Sequence, residues 1–103
     1  MAKTKAKVIL SMGAWMQEWE ESELGWGCRP DGVWYYATLD AAKNDTTKML
    51  KRMRKAEAKI YKGATPEEYS RPAGDPRFVK VSEKLAAEIL DKGRAYRERR
   101  ERL

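Results

Sequence analysis

From Lys7 onward the positions alternate with a period of two. Val8, Leu10, Met12, Ala14 and Met16 interleave with Ile9, Ser11, Gly13, Trp15 and Gln17. That period of two predicts a first strand reaching to about Trp15. Trp15 and Trp19 are also four apart, so a helix over Ala14–Leu24, capped by Gly25, competes for the second half. The strand reading continues into an acidic connection through Glu18, Glu20, Glu21 and Glu23. Leu24, Trp26 and Cys28 then alternate with Gly25, Gly27 and Arg29. Pro30-Asp31-Gly32 has the chemistry of a hairpin turn: proline presets φ, aspartate accepts the next position and glycine takes the left-handed one. Val33, Tyr35, Ala37 and Leu39 share one face of the following strand, and Trp34, Tyr36 and Thr38 the other. Both faces are bulky. Such a strand is covered on both sides or keeps one face for a partner.

The period then changes to that of a helix. Asp40 is a good N-cap and Gly63 a good stop, and between them Ala42, Thr46, Met49, Leu50, Met53, Ala56 and Ile60 form an apolar stripe. Lys48, Lys51, Arg52, Arg54, Lys55, Lys59 and Lys62 make the rest of helix 40–62 basic. Thr65-Pro66-Glu67-Glu68 is a capping box that predicts a single helical turn. Ser70–Pro76, with two prolines and a glycine, predicts a loop. Phe78, Val79 and Val81 predict a short fourth strand, and from Ser82 a second helix buries Leu85, Ala86, Ile89 and Leu90. Gly93 ends it, leaving residues 93–103 as a charged helical or frayed tail. The order β-β-β-α-β-α predicts one α+β domain over residues 1–103. Its small antiparallel sheet is a three-strand meander plus a short fourth strand, with two helices packed on one face.

Charge and chemistry narrow the function. Lys and Arg number 22 against 16 Asp and Glu, a net charge of +6 that suits an anionic partner. With one cysteine there is no internal disulfide, which points to a reducing compartment. No apolar run approaches a membrane span, and Val8–Leu10 is too short for a signal-peptide core, so the expectation is the cytoplasm and no membrane partner. The absence of histidine removes the usual neutral-pH base, the Ser-His and Cys-His pairs and most zinc sites. No phosphate-binding loop or dinucleotide fingerprint occurs, and the carboxylates of EWEESE read as a solvated run. The chain points away from an enzyme, and no cofactor or metal is expected.

Two arginine-centred loops carry the sharper reading. Arg29 precedes Pro30-Asp31-Gly32, and Arg71 precedes Pro72 and Gly74-Asp75-Pro76. Arginine on a proline-stiffened loop offers a planar fork of donors to phosphate or carboxylate, and neighbouring aromatics can stack on a base. Arg29, Arg71, Trp26, Trp34, Asp31 and Tyr69 are therefore the candidate site for an anionic nucleotide-type ligand. In the plainer alternative Arg29 pairs with Asp31 and Arg71 with Asp75, while the aromatics fill the core. A second surface is the basic helix together with the basic tail. There Lys51, Arg54 and Lys55 would meet nucleic acid or an acidic host protein.

Trp19-Glu20-Glu21-Ser22-Glu23, Gly25-Trp26-Gly27, Arg29-Pro30-Asp31-Gly32 and Pro66-Glu67-Glu68-Tyr69-Ser70-Arg71-Pro72 resemble motifs of small phage and prophage proteins. They span roughly Trp19 to Pro76. The group looks like the phage anti-Thoeris sponges, which sequester cyclic ADP-ribose-type immune signals between subunits without cleaving them. The resemblance implies an α+β homo-oligomer in the cytoplasm of a bacterial host, hiding a nucleotide messenger as an anti-defence protein. The segment after Gly32 departs from that pattern.

Overall fold

The computed structural model describes residues 10–23, 27–62 and 68–98. Two ten-residue strands, β1 (Ala14–Glu23) and β2 (Gly27–Tyr36), pair antiparallel from Trp15↔Tyr36 to Glu23↔Gly27. The expected acidic connection is thus part of β1. Its charges are tolerated because strand residues alternate between faces. Trp15, Gln17 and Trp19 point one way, whereas Glu18 and Glu20 point the other and meet cations. Glu20 accepts from Arg71 at 2.6 Å, and Glu18 accepts from Arg77. The alternation does not extend back to Lys7 as one strand, because residues 10–12 are helical.

Pro30-Asp31-Gly32 is not the hairpin turn. The chain reverses between Glu23 and Gly27, and the three residues lie inside β2 at a bulge. Between the pairs Glu18↔Val33 and Glu20↔Pro30, β2 advances one residue more than β1. A bulge is one of the few sheet positions that accept proline, which has no N–H to give the ladder.

The long helix α1 (Leu39–Tyr61) is capped two residues earlier than expected: the Thr38 side chain accepts from Ala41 N at 3.1 Å, and Asp40 sits in the first turn. Lys62 ends it in the left-handed conformation at φ 49°. Gly63 and Thr65–Glu67 lie outside the described residues, and Glu68 opens β3 (Glu68–Pro72), so the expected loop at Ser70–Pro76 is strand in its first half. β3 and the three-residue β4 (Arg77–Val79) both pair with β1, at Trp19–Glu23 and Ala14–Met16 respectively. Gln17 bridges the interruption between them. Only 2% exposed, it donates through Nε2 to Glu18 O at 2.9 Å and Gly74 O at 3.0 Å.

Helix α2 (Glu83–Lys92) has the expected ends, Ser82 accepting from Leu85 N and Gly93 at φ 83°. The tail is not a helix or a fray at its start. Ala95–Glu98 forms β5, which pairs with Gly32–Tyr35 and buries Ala95 at 3% exposure. Among the described residues the fold is therefore α+β with a five-stranded antiparallel sheet, β3-β1-β2-β5 with β4 beside β1, in the chain order β-β-α-β-β-α-β.

The two helices do not share a face. Leu85 and Ile89 of α2 pack with Leu10, Ala14 and Ala95, and Tyr35 joins that cluster. The next residue, Tyr36, points oppositely and donates its hydroxyl to Asp45 of α1 at 2.6 Å. No helix of the described residues is long and apolar enough to cross a membrane.

Candidate nucleic-acid interface

The apolar stripe of α1 is covered only in its first part, because Ala56 and Ile60, expected on it, are exposed, Ile60 at 71%. Ala42, Thr46 and Met49 are buried toward the sheet. Lys48, Lys51, Arg52, Lys55 and Lys59 are exposed, and their spacing of three and four places them on one side of the helix, away from the buried residues. That row runs about 17 Å along the axis. Two of the acids of α1 are already engaged: Asp45 with Tyr36 and Arg94, and Glu57 with Arg54 at 2.8 Å. The positive row therefore stands without acids between its members.

Beside this row, Asp45 ties β2 to the link between α2 and β5. Its Oδ2 accepts from Tyr36 Oη at 2.6 Å and from Arg94 Nη1 at 2.7 Å. The Arg94 guanidinium lies 4.5 Å from the centroid of Trp34, and Trp34 lies 5.0 Å from Tyr96 with the rings tilted by 55°. Burial works against the Asp45 charge. The hydrogen bonds from Tyr36 and Arg94, with the charges of Arg94 and Arg52, outweigh it and hold this carboxyl below the usual carboxylate range. Burial, with the bond to Asp45, pushes the Tyr36 hydroxyl well above the usual tyrosine value. Tyr36 is thus a fixed neutral donor.

Gly32 explains where Tyr96 sits. A Cβ at Gly32 would lie 2.2 Å from Tyr96 Oη, so the tyrosine ring occupies the space a side chain would fill. The glycine serves a close approach, not a turn, and its φ is not positive. Tyr96 remains 38% exposed. Burial, then Asp31 and Glu98, push its hydroxyl up from the ordinary value.

The residues singled out in the sequence are scattered. Trp26 lies outside the described residues. Of Arg29 and Tyr69 only the backbone is described, opposite Glu21 and Ser22 of β1. Arg71 takes Glu20, not Asp75, on the face of β1 opposite to the one that Trp34 shares with Gln17. Asp31 accepts from Ser70 Oγ at 3.2 Å. Of the basic trio, Lys51 and Lys55 are exposed, while Arg54 braces α1 to β3 by donating to Ser70 O at 3.0 Å. Arg94 and Tyr96 fall in the segment that reads as a tail from sequence. Their signal is the alternation of Ala95, Tyr96, Arg97 and Glu98, too short to separate from a charged end.

No protein-family model, curated protein or solved structure matches this chain.

Proposed function

We propose that the protein binds nucleic acid through the exposed basic row of α1, holding the phosphate backbone without catalysis. The observation that supports this is the run of Lys48, Lys51, Arg52, Lys55 and Lys59 along one side of a helix that is packed on the sheet through Ala42, Thr46 and Met49. Repeating cations without an apolar centre suit a repeating anion better than a protein surface, since protein interfaces are built around an apolar core. The arginine-loop site for a nucleotide needs Arg29 and Arg71 to converge. Arg71 is bonded to Glu20 on the face away from Trp34, so α1 is the better supported surface.

Fluorescence anisotropy with a labelled oligonucleotide tests the reading. Log affinity should fall with log salt at a slope of about −3 or steeper. Combined Lys51→Gln, Lys55→Gln and Lys59→Gln should reduce the slope by roughly one for each phosphate no longer neutralised, with the melting temperature unchanged. Undiminished binding by the triple variant would refute it.

A further inference from the structure

The groove beside β5 extends the α1 surface and differs from it in chemistry. It holds about 360 Å³, and its lining includes Trp34, Glu88, Lys92, Arg94, Tyr96 and Arg97. Two of its cations are occupied, Arg97 by Glu88 at 2.8 Å and Arg94 by Asp45. What it leaves accessible is an aromatic surface with positive charge alongside. Tyr96 is seated where a side chain on Gly32 would otherwise lie, its neighbour Trp34 carries the Arg94 guanidinium, and Lys92 is exposed. A ring seated against backbone loses little freedom when a second ring stacks on it.

The groove also adjoins the basic row. Asp45 lies two turns before Arg52 on the same side of α1 and grips Arg94, which covers Trp34. A phosphate chain leaving α1 at Arg52 therefore meets Arg94 and the Trp34–Tyr96 pair next. Glu98, opposite Gly32, stands beyond Tyr96 from Arg94, and its charge with that of Asp31 disfavours phosphate on that side.

We infer that the Trp34–Arg94–Tyr96 groove is a base-stacking site, so that the strand held by α1 is single-stranded. This rests on the α1 reading above. Paired bases cannot present a ring face to Tyr96 without unstacking, whereas every base of a single strand can.

The test uses the full chain and four probes: labelled oligothymidylate of about 15 nucleotides, an abasic strand of equal length, a duplex, and AMP. The wild type should prefer oligothymidylate over the abasic strand by about tenfold, in line with one stacked base. Tyr96→Ala should erase that preference and leave duplex affinity unchanged, while Tyr96→Phe should keep it. The abasic comparison needs no variant, so it stands even if Tyr96→Ala does not fold. Equal wild-type affinity for the two strands overturns the inference, as does a Tyr96→Ala loss shared equally by strand and duplex. AMP that binds the wild type but not Tyr96→Ala, and does so without displacing the strand, also overturns it and assigns the groove to a free nucleotide. Steep salt dependence with no base preference leaves the α1 reading standing alone; no binding to any polyanion removes both.

Discussion

Replacing Gly32 by alanine separates two explanations of that glycine. A turn glycine is needed for its backbone, so alanine would destabilise whatever surrounds it. Here the backbone has no positive φ, and the obstacle is the Tyr96 ring, with Oη at 2.2 Å and Cε1 and Cζ at 2.5 Å from the new Cβ. Tyr96 is 38% exposed, so its ring is able to swing outward into solvent. A tyrosine buries on the order of 200 Å² when fully covered. Losing about half of what Tyr96 covers, roughly 60 Å², costs about 1.5 kcal/mol at 25 cal/mol per Å². Alanine restores about 0.5 kcal/mol by restricting the unfolded chain. The net loss is about 1 kcal/mol, or 4–8 °C in melting temperature for a domain of this size. In a Tyr96→Ala background the obstacle is gone, and the same Gly32→Ala change should become stabilising by about 0.5 kcal/mol. Urea unfolding of the four proteins of this cycle measures both effects. A Gly32→Ala destabilisation of equal size in both backgrounds would refute the steric account and return Gly32 to a backbone role.

Asp45 has a depressed carboxyl pKa in the fold, so its contribution is present above the ordinary value of 3.8 and is lost as pH falls through the folded value. Asp45→Asn should cost about 1 kcal/mol near neutral pH, Arg94 being partly exposed, and the gap to wild type should close as pH falls below the ordinary carboxylate value in thermal melts. A gap independent of pH would contradict the assigned bonds. Truncation after Lys92 removes β5, with Ala95 from the core and Arg94 from Asp45. The melting temperature should fall by more than about 10 °C, and an unchanged value would place β5 outside the cooperative fold.

The helices were legible because their signals are local. The 3.6-residue stripe of α1 and the Ser82 and Gly93 caps of α2 require nothing from distant residues. The strands were harder. Glu18 and Glu20 look like a loop until Arg77 and Arg71 arrive, 59 and 51 residues later. Pro30-Asp31-Gly32 carries turn chemistry, and only the register against β1 turns it into a bulge. At the candidate site the basic charge of α1 was visible in the sequence. Arg94 was not, since its role is set by Asp45, 49 residues away. The expected arginine site groups Arg29 and Arg71 with aromatics that lie near each of them along the chain. Opposite faces of one sheet undo such neighbourhoods.

The order in which β1 finds its partners has a kinetic consequence. β1 and β2 are joined closely enough to zip locally, yet the strands that cover their outer edges, β3, β4 and β5, come only from Glu68 onward. During synthesis the hairpin therefore waits with both ladders open while α1 is made. Such late, sequence-distant pairing slows folding and exposes intermediates to pairing with other chains. The carboxylates of Glu18 and Glu20 guard the chain through that interval. Until Arg71 and Arg77 arrive, their charges repel the identical edge of a second nascent chain, and the same cations that close the sheet release that guard.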